Sequence, residues 1–241
     1  MKRKIRLLAS SLTVMAFVLV LTNSCKKEDS NNNNIVYNQN LTYGTVTDVE
    51  GNIYKTITIG TQTWMAENLK VTHYRNGKPI QNITIDTIWY KLTTGAYCDY
   101  EYNGSNSIIY GKLYNCYAVQ DSQNIAPIGW HIPTSTDWIT LQDYLGGQSF
   151  GGGKLKEIST KHWKSPNSGA SNESGFTALP GGRRDKTFNN IGSDGYWWSS
   201  SNIPPKNTNA TFMTVTNQIP WLMISCDFKS SGFSVRCIKD K

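Results

Sequence analysis

From Thr47 onward the hydrophobic residues come in short runs broken by Gly, Asn, Asp and Pro, the punctuation of short strands rather than of long helices. In YKTITIGTQTWMAENL, Ile57 and Ile59 alternate with Thr56 and Thr58, the period of two expected of a half-buried strand. NITIDTIWYKL reads the same way: Ile83 and Ile85 hold one phase, and Ile88 and Tyr90 follow after a shift, which predicts a second strand. One stretch departs from this pattern. In IPTSTDWITLQDYLGG, Thr134 stands three residues before Asp137, a helix-capping arrangement, and Trp138, Leu141, Tyr144 and Leu145 form one apolar face before Gly146 and Gly147. A helix of about three turns, docked on a sheet by its tryptophan, is therefore expected. No tandem repeat is present, and the fold class predicted is α+β with strands dominant.

Near the C-terminus two stretches break the alternation. Trp197 and Trp198 are adjacent, so on a strand they must point to opposite faces; if one is buried, the other meets a second layer or solvent. Ile219, Pro220, Trp221, Leu222, Met223 and Ile224 offer apolar side chains to both faces, where a strand packed on one side would alternate. Contiguous exposed apolar surface usually marks an interaction site. That places a recognition surface in this segment.

The N-terminus changes the context. Lys2, Arg3, Lys4 and Arg6 precede an apolar stretch from Leu7 to Leu21, the anatomy of an export signal and too short for a confident membrane span. Ser24 directly before Cys25 resembles the cleavage and lipidation site of bacterial lipoproteins, although Thr22 replaces the usual Leu. The expected organisation is a signal peptide over residues 1–24, a lipidated flexible tether over 25–46 beginning at Cys25, and one domain over 47–241. Lys26-Lys27-Glu28-Asp29-Ser30 resembles the charged signal that sends some lipoproteins to the outer face of the outer membrane. Removing the signal lowers the formal charge of +7, leaving twenty basic against seventeen acidic residues. With no Lys/Arg stripe, nucleic acid is not an expected partner.

Export permits disulfides, and Cys98, Cys116, Cys226 and Cys237 admit three connectivities. A hairpin turning at Ser231-Gly232 would set Cys226 opposite Cys237, one register among several. His73, His131 and His162 lie in separate blocks without metal-ligand spacing, and Asp185, Asn189, Asn190 and Asp194 lack the spacing of a calcium loop, so no metal and no cofactor is predicted. His131, between Trp130 and Ile132, is expected to be a packed, hydrogen-bonded residue. No nucleophile stands with a base, and the protein is not expected to be an enzyme.

Seven ordered strings carry a resemblance: GNIYKTITIGTQTWMAENLK, YGKLYNCYAV, IGWHIPTSTDW, GGKLKE, ESGFTALPGGRRD, IGSDGYWWSSS and GFSVRCIKD. Together they resemble the Fibrobacter succinogenes major paralogous domain, and two of them are also similar to formylglycine-generating-enzyme-like domains. That likeness implies a C-type-lectin-like fold: short twisted antiparallel strands, one or two helices and long loops. Ala126 stands where the family usually has a Cys, and Cys116 where it has an aromatic; if the family pairs the first of these with the terminal cysteine, Cys237 has lost that partner, leaving Cys116 or Cys226 to substitute or the thiols free. The resemblance implies a cell-surface lipoprotein binding a glycan or protein without catalysis, as a monomer. Arg184, Asp185, Asn189, Trp198, Asn217, Trp221, Met223, Asp227 and Phe228 are the contacts expected, because they flank the Gly-rich turns or occupy the atypical segment. The rival implications are a retroelement-diversified variable region, a structural or adhesive coat component, and a formylglycine-generating-like enzyme.

Overall fold

A computed structural model describes residues 35–203 and 208–241. The expected signal peptide and Cys25 lie outside the described residues, as does the first part of the expected tether. In chain order the elements are β1 (Gly44–Thr47), β2 (Ile53–Ile59), β3 (Gln62–Met65), β4 (Gln81–Asn82), α1 (Asp86–Trp89), β5 (Ala96–Cys98), α2 (Gly104–Tyr110), β6 (Leu113–Asn115) and α3 (Cys116–Val119). They continue with β7 (Trp130–His131), α4 (Ser135–Tyr144), α5 (Gln148–Leu155), β8 (Gly181–Arg184), β9 (Phe188–Ile191), β10 (Asp194–Asn202), β11 (Asn209–Thr216), β12 (Met223–Phe228), β13 (Gly232–Phe233) and β14 (Ile238–Lys239). The architecture is mixed, with many short strands and few helices, as the periodicity predicted. No helix among the described residues is long and apolar enough to cross a membrane.

Two sheets organise these pieces. A five-stranded antiparallel sheet runs β1-β2-β3-β14-β7 and so joins the start of the domain to its end, with Ile238 opposite both Trp64 and His131. A nine-stranded sheet runs β12-β11-β10-β8-β13-β6-β5-β4, with β9 hairpinned onto β8. β10 lies inside the second sheet and is covered on both faces. Trp197 enters one core with Trp64, Trp138, Trp163 and Phe176, while Trp198 enters another with Tyr114, Phe212 and Phe233. Both indoles are fully buried and hydrogen-bonded, Trp197 Nε1 donating to Asn68 Oδ1 (2.8 Å) and Trp198 Nε1 to the Tyr114 carbonyl (2.7 Å). Trp198 is thus no surface residue: the opposite layer, not solvent, receives it.

The helix expected after Thr134 is α4, closed at its start by a reciprocal pair: the Asp137 amide donates to Thr134 Oγ1 (3.2 Å) and the Thr134 amide to Asp137 Oδ2 (2.8 Å). Trp138 stacks on Trp64 with ring centroids 4.6 Å apart, and Leu141 and Leu145 are buried beside it, but Tyr144 is exposed. α5 was not signalled by its sequence, because its three consecutive glycines disfavour a helix by roughly 1 kcal/mol each relative to Ala. Contact explains them. A Cβ on Gly152 would lie 2.1 Å from the Trp221 carbonyl oxygen, and one on Gly153 would lie 2.3 Å from that of Gly169.

Four expectations are corrected. The 82–92 run is not a strand beyond Asn82: Asp86–Trp89 is a short helix that buries Trp89 and leaves Ile85 and Ile88 exposed, since sealing one indole under Arg184 outweighs local β propensity. Residues 36–43, expected as tether, dock on the domain. The Val36 amide donates to Glu157 Oε1 (2.7 Å), and Tyr37, Leu41 and Tyr43 pack on the Trp64 core. The Cys226–Cys237 hairpin does not form, because β12 pairs with β11 and β14 pairs with β3 and β7. All four cysteines of the domain are free; Cys226 is exposed and the other three are buried, where loss of hydration pushes the Cys98 and Cys116 thiols up to about 12. Finally, the run at 219–224 is not one strand and not an open patch: residues 219–222 are irregular, and only Met223 and Ile224 begin β12. Its backbone lies on α5, with the Gly153 amide donating to Pro220 O (3.0 Å) and the Leu222 amide to Gln148 O (2.8 Å). The Lys156 ammonium clamps it from below through the carbonyls of Ser168 (2.8 Å), Thr216 (2.8 Å) and Ile219 (3.3 Å). Leu222 is buried; Trp221 remains 41% exposed.

Candidate functional site

The strand β8 carries Arg183 and Arg184 side by side, and strand alternation sends them to opposite faces. Arg184 turns inward and is fully buried. Its guanidinium sits 4.3 Å from the Trp89 ring and 5.0 Å from those of Tyr102 and Phe188. It donates to the Ile83 carbonyl (2.6 Å), to Asp86 Oδ1 (2.9 Å) and to the Tyr102 hydroxyl (2.9 Å). The Tyr102 hydroxyl in turn donates to Asp86, and these two partners hold that carboxyl below its ordinary range. The cage therefore fixes α1, and with it Tyr90, against the β8–β9 hairpin.

Arg183 turns outward. Its Nη2 lies 2.7 Å from Asp185 Oδ2 and its Nη1 3.0 Å from Asp227 Oδ2, so one guanidinium ties the hairpin to the far end of edge strand β12. Its plane also sits 5.5 Å from the Tyr196 ring. Burial pushes the Asp185 carboxyl above the usual carboxylate range and the nearby Asp227 adds to this, against the pull of Arg183 and Ser231.

Around Arg183 opens a cleft of about 610 Å³, lined by Tyr90, the 185–189 hairpin, Asp227, Phe228 and the turn at Ser230-Ser231. Its size falls within the ~300–1,000 Å³ typical of small-ligand sites. Phe228 is 62% exposed and Tyr90 38% exposed, so two aromatic rings are available to a ligand. Asn189 supplies a side-chain amide, and its own Nδ2 donates to the Thr187 carbonyl (3.0 Å), leaving the carbonyl oxygen of that amide to accept.

The structure brings together Asp185, Asn189, Asp227 and Phe228 of the nine expected contacts. The others are elsewhere. Arg184 and Trp198 are sealed in the interior, and Asn217 is buried with its amide donating to the carbonyls of Lys164 (3.0 Å) and Ser165 (3.1 Å), which makes it a brace for a loop. Trp221 and the half-buried Met223 lie at the opposite end of β12 from Phe228, some 17 Å away at a strand rise of about 3.4 Å per residue, so the three do not form one patch. Arg183, Tyr90 and Lys186 were not anticipated. Arg183 differs from its neighbour only in strand phase, and Tyr90 lay in a run whose period suggested a strand.

Elsewhere, His131 lies between Asp240 (2.7 Å) and Asp137 (3.4 Å), hydrogen-bonded as expected. Asn190 donates to Asp194 (2.7 Å) while Asp185 faces Arg183, so these residues do not converge on one point. No group of metal-ligating side chains is assembled among the described residues.

The protein is thus of a β-rich mixed class, with a polar-aromatic cleft beside an edge strand. The model of the Fibrobacter succinogenes major domain matches residues 57–239, most of the chain, and the protein belongs to that family. Comparison with curated proteins and with solved structures gave no match.

Proposed function

We propose that this protein is a non-catalytic binding module displayed at the cell surface, and that a saccharide occupies the cleft around Arg183. The cleft carries the reading. It sets two partly exposed aromatic rings, Tyr90 and Phe228, beside Asn189, Thr187, Ser230 and the Asp185–Arg183–Asp227 network. The C–H edges of a sugar ring suit the negative face of an aromatic quadrupole. Its hydroxyls suit fixed amide, hydroxyl and carboxylate partners, which orient a ligand within an apolar lining. The non-catalytic reading is supported by three of the domain's thiols being buried with raised pKa values, which keeps them protonated and unreactive at neutral pH.

An array of immobilised polysaccharides probed with the full chain tests this. Selective binding that falls at least about tenfold in Tyr90→Ala/Phe228→Ala is the expected result. Binding that survives the double substitution sinks it.

A C-type-lectin-like architecture accords with the joining of β2 and β3 to β14 and with the tryptophan-packed helix α4. Superposing an experimental structure on lectin-like domains tests that assignment. Anchoring in the outer membrane by a lipid on Cys25 rests on the sequence before the domain. Mass spectrometry of the mature N-terminus, with release of the Cys25→Ser chain from membranes, is the corresponding measurement; an unmodified thiol at Cys25 removes the anchor.

A further inference from the structure

The charges around the cleft are unequally satisfied. Arg183 is committed to Asp185 and Asp227, so the middle of the cleft holds one cation between two carboxylates. At the Tyr90 end the situation is reversed. Lys91 Nζ sits 5.5 Å and Lys186 Nζ 5.7 Å from the Tyr90 ring centroid, both side chains exposed, and neither makes an ion pair among the described residues. Two ammonium groups thus lie within 6 Å of one tyrosine ring without an ion pair of their own, and the ring limits where they can wander.

Resting on the binding reading above, we infer that the cleft's ligand is an acidic saccharide, whose oxyanion, a carboxylate or a sulfate, is seated by Lys91 and Lys186 beside Tyr90. An anion is drawn to the lysine pair and repelled from Asp185 and Asp227. Lysine suits either source, because an ammonium is a point charge without the planar fork that would favour a carboxylate geometry. The Arg184 cage enters as a positioning element, since it fixes α1 and so presents Tyr90 and Lys91 to the hairpin bearing Lys186.

Titration calorimetry with the full chain, at one low ionic strength, separates the parts of this inference. The probes are oligogalacturonate with its carboxyl-reduced neutral counterpart, and dextran sulfate with dextran. An acidic probe is expected to bind about tenfold more tightly than its neutral counterpart, and Lys91→Met/Lys186→Met to remove that difference. Lys161→Met/Lys239→Met, which deletes the same charge from remote exposed positions, is expected to leave it unchanged. Which acid binds identifies the oxyanion. Equal loss in both lysine pairs means diffuse attraction and overturns the seat. Equal binding of acidic and neutral probes also overturns the seat, yet leaves the cleft standing if Phe228→Ala still weakens both. If no probe binds, or Phe228→Ala changes nothing, the seat and the saccharide reading fail together.

Discussion

Arg183 and Arg184 are chemically identical and adjacent, yet one lies half-buried between two carboxylates and the other is sealed among three aromatic rings. Their substitutions should therefore part company. Removing Arg184 leaves Asp86 without its cation and empties a cage that nothing else fills. Arg184→Met, which loses the hydrogen bonds to Ile83, Tyr102 and Asp86, is expected to cost on the order of 3 kcal/mol, whereas Arg183→Gln, at half-buried ion pairs, should cost about 1 kcal/mol. Urea unfolding of the two variants checks this, and similar losses would contradict the geometry. Ligand affinity should fall in both, through the cleft lining itself for Arg183 and through displacement of α1 and Tyr90 for Arg184. Nothing in the dipeptide Arg-Arg says which residue is which; the phase is set by Phe188 and Asn189 pairing opposite them on β9.

At the scale of elements, α5 shows local preference yielding to packing. Replacing a helical glycine by alanine usually helps by roughly 1 kcal/mol. Gly152→Ala should instead destabilise by about 1–3 kcal/mol, because its Cβ would meet backbone, the Trp221 carbonyl, which cannot swing aside as a side-chain tip could. Thermal or urea unfolding decides the sign, and a stabilised Gly152→Ala would mean the 219–222 segment is not held on the helix. By contrast α4 was legible from its residues, since a capping box acts within one turn and needs no distant partner. The 82–92 run was misread for the opposite reason. Its alternation was real, but Trp89 found a buried place under Arg184, nearly a hundred residues along the chain, and the chain coiled to reach it.

For the whole molecule, pH response follows from where the carboxylates sit. Glu50, Asp86, Asp99 and Asp137 are held below their ordinary range by partners that oppose desolvation: His73 and Thr72 for Glu50, Tyr102 and Arg184 for Asp86, Lys112 and Ser107 for Asp99, Thr134 and His131 for Asp137. A carboxyl with a depressed folded pKa contributes stability that is present above its unfolded value of about 4 and is lost as pH falls through the folded value. Stability should thus decline steadily below about pH 4. Lys156 acts at the other end: burial lowers it to about 8, so the unfolded chain binds that proton more tightly, and its contribution rises with pH from about 8 toward 10.5. The buried Tyr54 and Tyr114, with phenols pushed up, oppose this above about pH 10 because the unfolded phenols ionise first. Unfolding free energies from pH 3 to 11 test the profile; a flat acid limb would mean those four carboxylates are not paired in solution.

Short-range information settled a good deal: the strand-rich composition, the capped helix after Thr134, the solvent exposure of Phe228 and the family to which the chain belongs. Each depends on residues close together or on ordered strings that survive without a structure. The tertiary structure decided the rest. It chose Arg183 over Arg184, kept Cys226 away from Cys237, buried both Trp197 and Trp198, and split Trp221 from Phe228. Those outcomes depend on which strands lie side by side and on whether a face is covered from outside the segment, and no local period carries that information.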